Sequence, residues 1–319
     1  MNMENNFYLP GGDHGGNASV IEDYLGFEPL SVIDLSMSMN PFVGDVKNLI
    51  AELAHTAGIY PNAERLHLLL AEILELDPRH LLLTNGAAEA IALVANEIKV
   101  AKVIQPEFSL WEKHLCLISD EAGLVKSNPT NPTGELAPGD LQAAVFDEAF
   151  YPLTTGEWSR RDFESSSAIT IGSLTKLLTI PGLRIGYLIC RDESRLGRMK
   201  RKQPEWPISS LSLAVAEQLL PKLDLAFTRK QITQRQLELY DLLKSCGLAV
   251  KLCQAPWLLV EGVPWLRYFL ALEKILVRDL SSFGMPNMLR VGLPTDAQLE
   301  YLSKAVPKAI YKGRQFYGA

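Results

Sequence analysis

The sequence has little of what would tie it to a membrane, a nucleic acid or an oxidising compartment. It holds no run of about eighteen apolar residues that could span a bilayer. The N-terminal stretch lacks the basic-then-apolar pattern of a secretory signal, so a cytoplasmic protein without membrane contact is expected. Positive charge is not in excess: the net charge is −6 and the pI about 5.5. That excludes the broad basic footprint of a nucleic-acid binder. One basic run, Arg191 to Lys202, reads as a solvated helix face. The four cysteines (Cys116, Cys190, Cys246 and Cys253) show no paired spacing, which suits a reducing compartment and argues against a zinc site. No metal is expected. Repeats and low-complexity tracts are absent, and 319 residues can bury a large core, most simply as two domains.

What is present is organised around Ser173 to Cys190. Ala168 to Ile171 reads as a buried strand entering this stretch, and Ile185 to Cys190 as a strand leaving it. Between them lies Lys176, flanked by Ser173 and Thr175, with Arg184 behind a Pro181-Gly182 turn. A lysine held between buried strands is desolvated, which disfavours its ammonium form and makes the amine a nucleophile toward an aldehyde. Ser173 and Arg184 then offer a hydroxyl and a fork of donors to a neighbouring phosphate. Taken alone, a lysine in a loop is a solvated charge far more often than a catalyst, and S-x-x-K also occurs in serine hydrolases.

Upstream motifs change the weighing. Asn131-Pro132-Thr133-Gly134 precedes Asp147-Glu148-Ala149-Phe150, and then come Lys176 and Gly182-Leu183-Arg184. In this order the series resembles the fold-type I pyridoxal-phosphate enzymes, the aspartate aminotransferase superfamily. The resemblance implies an α/β fold. A large domain with a mainly parallel, seven-stranded-type sheet, here trimmed, would carry a small α+β domain. The expected division is an N-terminal arm over 1–40 that joins the small domain, a large domain over 41–220 and a small domain over 221–319.

The same resemblance assigns roles. Lys176 carries the cofactor, pyridoxal 5'-phosphate. Asp147 holds its pyridine nitrogen protonated, which makes the ring an electron sink, and Asn131 donates to its phenolate oxygen. Phe108 stacks on the ring; read plainly, it is a core phenylalanine at a helix start. Leu81 to Thr84 is a short strand running through Asn85-Gly86 into a helix. A strand, a glycine turn and a helix N-terminus present unpaired amides and a dipole to an anion. Many α/β proteins share that pattern; relatives place the cofactor phosphate there, on the amides of Gly86, Ala87 and Ala88, with Ser173 and Arg184. Tyr60, in Tyr60-Pro61-Asn62-Ala63, would reach the phosphate of a second subunit in a homodimer with shared active sites, or else simply pack a turn. Aminotransferases of this group usually have a tyrosine where Phe150 stands, within the cofactor site.

Other pieces point to one branch. His14-Gly15-Gly16-Asn17, then Asp34, Ser36, Asn40 and Pro41, resemble the opening of threonine-phosphate decarboxylases, as does the I-P-G-L-R form of the lysine stretch. From composition alone the glycine-rich opening reads as a mobile loop. Ser38 stands where that branch usually has asparagine, a shorter hydroxyl for a substrate-side amide. Arg278 and Arg290 each stand alone on an apolar strand, and a buried guanidinium needs a partner. That partner is an internal carboxylate or the substrate; relatives use such arginines, with His14 and Ser38, to bind a carboxylate and a phosphate. The reaction implied is decarboxylation of O-phospho-L-threonine to 1-aminopropan-2-yl phosphate, a step of cobalamin side-chain synthesis. An aminotransferase of histidinol-phosphate type is the alternative. A weakly active cofactor-binding scaffold is a third reading, prompted by Trp111 to Val145. That stretch is about half as long as in relatives, too short for helices on both sides of Asn131-Pro132.

Overall fold

The computed structural model describes residues 9–10, 14–159, 167–262 and 265–317. Gly11, Gly12 and Asp13 of the glycine-rich opening lie outside these, as does Pro264, where the sequence pattern reads the start of a helix over Pro264 to Ile275. The chain divides into two compact units. One comprises Met1–Pro41 with Gln231–Ala319, the other Phe42–Lys230.

The chain opens with α1 (Ala18–Leu25) and the two-residue strand β1 (Ile33–Asp34). In the second unit α2 (Val46–Leu53) starts at Asp45, a cap residue type whose carboxylate accepts the Asn48 N–H. Then follow α3 (Glu64–Ile73), β2 (Leu81–Thr84), α4 (Gly86–Ile98), β3 (Val100–Val103), α5 (Leu110–His114), β4 (Leu117–Ile118), β5 (Leu124–Ser127), β6 (Val145–Asp147), α6 (Tyr151–Thr155), β7 (Ile169–Ser173), α7 (Leu174–Leu177), β8 (Gly186–Ile189), α8 (Glu193–Lys202) and α9 (Ser210–Leu219).

Seven of these strands form one sheet in the order β2-β8-β7-β6-β5-β3-β4. Pairing is parallel from β7 to β4, whereas β8 runs antiparallel to both of its neighbours. The sheet is thus mainly parallel, as expected. The interior strands β6, β7 and β8 are buried at every residue, which is why they read as continuous apolar runs rather than alternations. Against them pack Ile91, Val94, Trp111 and Met199 from α4, α5 and α8. The shortened stretch costs helices and no strand. Between β5 and β6 there is no helix at all, and α5 and α6 have five residues each. An irregular crossover still spans the distance because it supplies its own bonds. Gly134 donates to the Thr130 carbonyl, and the Asn128 side chain accepts the Ala137 N–H.

Helix α10 (Leu225–Ser245) leads the chain onward, to β9 (Ala249–Leu252), β10 (Trp257–Glu261), α11 (Leu266–Leu272), β11 (Ile275–Leu276), β12 (Arg278–Asp279), β13 (Met288–Gly292) and α12 (Asp296–Tyr317). Strands β12-β13-β10-β9 make an antiparallel sheet, and β1 pairs in parallel with β11. Two readings of the sequence pattern, Ile275 to Arg278 as one strand and a closing helix capped by Thr295 that runs to about Ile310, are corrected. Ile275 to Arg278 is two strands rather than one, because the chain changes partner at Val277 from β1 to β13. The closing helix, expected to end near Ile310, continues to Tyr317 because nothing after Ile310 breaks its turn. No helix among the described residues is long and apolar enough to cross a membrane.

Candidate cofactor site

Strand β7 delivers Lys176. Its last residue, Ser173, is the register partner of Gly186, so the lysine loop leaves the sheet and re-enters it at one point. The loop is pinned from within: Thr175 donates both its N–H (3.2 Å) and its hydroxyl (3.1 Å) to the Ile185 carbonyl. The Lys176 ammonium lies 5.7 Å from the centroid of the Phe150 ring.

At the same end of the sheet the first turn of α4 approaches β8. A Cβ on Gly186 would stand 2.8 Å from the Ala87 nitrogen, so the contact exists only because residue 186 is glycine. Gly86 has φ +72°, a conformation that disfavours side chains, and a Cβ there would meet Arg184 Nη2 at 2.6 Å. Arg184 is held from the other side by donating Nη1–H to the Pro181 carbonyl at 3.1 Å. Gly86, Ala87, Ser173 and Arg184, distant in sequence, therefore meet around Gly186. The turn before α4 is shaped by residues not singled out from sequence. Glu89 accepts the Asn85 N–H at 2.7 Å, and Gln203 donates to Glu89 at 2.8 Å and to the Leu83 carbonyl at 2.9 Å. A glutamate in the first turn of a helix, four residues after its N-cap Asn85, was the available signal.

Asp147 ends β6, one strand from β7, and is buried. Burial pushes its carboxyl up to about 7, and the charges of Glu107 and Glu148 act in the same direction. The Ala149 N–H bond and Lys176 oppose them. Asn128 donates to Glu148 at 2.8 Å and gives its backbone N–H to the Asp147 carbonyl. Asn131 follows in the same turn, and Phe108 packs against the core cluster under the sheet. Tyr60 stands on the surface, 79 % exposed, with its ring 4.8 Å from that of Trp206.

In the other unit Arg278 and Arg290 are register partners on β12 and β13, and both are buried. Arg290 donates to the Ser36 carbonyl at 2.9 Å and lies over the Trp257 ring. Arg278 donates to the Ser282 hydroxyl at 2.8 Å and lies over Phe283. Burial, with Arg278 beside it, lowers the Arg290 guanidinium to about 10. Ser36 also bonds Asp34 and accepts the Gly16 N–H at 2.9 Å, and Gly15 packs against its carbonyl where a Cβ would be 2.5 Å away. His14 precedes this contact and is exposed. Ser38 is buried, and among the described residues its hydroxyl has no hydrogen-bond partner.

Comparison with known proteins matches residues 92–306 to the family described as aminotransferase class I and II. The chain belongs to that family. A threonine-phosphate decarboxylase of Salmonella typhimurium is 28 % identical over 64 % of this chain and 69 % of its own. Histidinol-phosphate aminotransferase 1 of Oceanobacillus iheyensis is 24 % identical over 92 % of this chain and 97 % of its own. The fold is shared with the crystal structure of histidinol-phosphate aminotransferase from Sinorhizobium meliloti in complex with pyridoxal-5'-phosphate. There the TM-score is 0.76 and the identity 17 %, with 98 % of each chain covered. This aminotransferase-family chain is thus a fold-type I, pyridoxal-phosphate-dependent enzyme, related to both the decarboxylase and the aminotransferase branches.

The residues present suit that cofactor. Around Gly186 there is a side-chain-free cradle of helix amides with a hydroxyl and a guanidinium, a donor set for a phosphate. One strand away, after β7, stands a primary amine, and two strands away, at the end of β6, a buried acid, the groups an aldehyde and a pyridine nitrogen require.

Proposed function

We propose that this enzyme is an aminotransferase of the histidinol-phosphate type, acting on an amine that also carries a phosphate. Pyridoxal phosphate supplies an aldehyde for the amine and an electron-withdrawing ring. Lys176 would hold that aldehyde between turnovers and move the proton at the reacting carbon. Asp147 would keep the pyridine nitrogen protonated, Asn131 would donate to the phenolate oxygen, and Phe108 would cover one ring face, with Phe150 near Lys176. The amides of Gly86, Ala87 and Ala88, with Ser173 and Arg184, would bind the phosphate. Arg278 and Arg290, with His14 and Ser38, would bind the substrate's acidic groups. The division into a large cofactor domain, a small domain and an arm belongs to the same reading. So does a homodimer in which Tyr60 completes the neighbouring subunit's phosphate site; Tyr60 is exposed, as such a contact needs.

The observation that carries the assignment is the pairing of Ser173 with Gly186 against Ala87, which sets the lysine loop and a phosphate cradle side by side. Amino transfer leads because the aminotransferase relative matches nearly the whole of both chains. Decarboxylation of O-phospho-L-threonine is the second reading. Phe150, where aminotransferases usually place a phenol, and the Salmonella relative favour it. One assay divides them. Glutamate formed from 2-oxoglutarate and histidinol phosphate supports transfer, whereas carbon dioxide released from phosphothreonine, without glutamate, overturns it.

A further inference from the structure

Glu107, a carboxylate of the cofactor unit that the sequence reading passed over, is 2 % exposed. A buried carboxylate is costly unless donors surround it. Glu107 accepts the Phe108 N–H at 2.8 Å, the Ser127 N–H at 2.8 Å and the Ser127 hydroxyl. Ser127 ends β5 and is the register partner of Asp147, and the next residue, Asn128, donates its N–H to the Asp147 carbonyl at 2.8 Å. One side chain thereby ties Phe108 to the strand end beside Asp147. Backbone N–H groups could be satisfied by a neutral acceptor. A carboxylate adds a charge to a pocket that already holds Asp147 and Glu148, with Lys176 as the opposing cation acting on Asp147. Burial holds the Glu107 carboxyl above its usual range, against the Ser127 and Phe108 bonds and Lys126.

We propose that Glu107 is a positioning residue for pyridoxal phosphate: it fixes Phe108 against β5, and its negative charge retains the proton shared by Asp147 and the ring nitrogen. The proposal rests on the cofactor assignment above. It deepens that assignment by placing the electrostatic control of Asp147 on the segment after β3.

The test compares wild type, Glu107→Gln and Ser127→Ala. The readouts are the dissociation constant for pyridoxal phosphate, by fluorescence quenching, and the nitrogen NMR signal of ring-labelled cofactor across pH. Glu107→Gln keeps the shape but loses the charge and one acceptor. Its dissociation constant should rise about tenfold or more, the scale of one charge-assisted hydrogen bond. Its ring nitrogen should lose its proton at lower pH than in wild type. Ser127→Ala keeps the charge and removes one donor, so the constant should rise a few-fold while the nitrogen titration stays put. Equal affinity and equal nitrogen titration in wild type and Glu107→Gln overturn the proposal. If Glu107→Gln does not fold, unchanged affinity in Ser127→Ala overturns it. Wild-type protein that takes up no pyridoxal phosphate overturns the cofactor assignment itself, a separate result.

Discussion

Gly186 and Ala87 approach so closely that a single added carbon on Gly186 would sit 2.8 Å from the Ala87 nitrogen. Gly186→Ala must therefore push the first turn of α4 away from β8. Overpacking of this kind costs about 1–3 kcal/mol. Melting temperature should fall and affinity for pyridoxal phosphate should fall with it. A variant that melts and binds as wild type would show that the cradle does not depend on this contact.

Asp147 predicts a pH dependence in cofactor-stripped protein. Its folded carboxyl titrates near 7 against an ordinary 3.8, so the folded state holds the proton more tightly than the unfolded. Its contribution is fully present below about pH 4 and is lost as pH rises through 7. Relative to Asp147→Asn, wild-type stability should decline between these values by up to about 1.4 kcal/mol per pH unit. Urea melts of both proteins at pH 5 and pH 7.5 measure it; parallel curves would count against a buried Asp147.

Arg278 and Arg290 lie side by side and buried, an arrangement suited to an anion shared between them. Replacing either by methionine should lower kcat/KM for a phosphorylated substrate by roughly ten- to a hundredfold, the scale of one lost charge-assisted contact. The absorption spectrum of the bound cofactor should not move. A changed spectrum would mean that these arginines act on the cofactor instead.

Ser38 offers a cleaner separation of folding from binding. Its buried hydroxyl bonds to nothing among the described residues, so Ser38→Ala should leave stability within about 0.5 kcal/mol. If the hydroxyl serves the substrate, KM rises while the melting temperature stays put. Unchanged KM would remove Ser38 from the site.

Most of the sheet was legible because buried strands are written as short apolar runs, and Leu81 to Thr84, Ile169 to Ile171 and Gly186 to Ile189 are of that kind. That Lys176, Asp147 and the Gly86 turn fall at strand ends was legible for another reason: the ordered motifs Asn131-Pro132-Thr133-Gly134, Asp147-Glu148-Ala149 and Ser173-Leu174-Thr175-Lys176 place them there together, where each pattern alone is weak. Strand partners were not. Nothing at Val277 announces that Leu276 pairs with β1 and Arg278 with β13, since partner choice is a long-range property. Glu107 escaped for a related reason. Beside Pro106 it reads as a polar loop residue, and only its distant neighbour Ser127 reveals that it is buried.

Because Ser173 pairs directly with Gly186 on adjacent antiparallel strands, the lysine segment is in effect a hairpin. Its closure is local in sequence and costs little chain entropy. The pairing of β6 with β5 spans a longer, helix-free crossover, so contacts that seat Asp147 are the slower ones to search for. A refolding chain can thus assemble its amine arm before the acid beneath it is in place. Under the roles proposed for Lys176 and Asp147, capture of the coenzyme and protonation of its ring would then mark two separate moments in maturation.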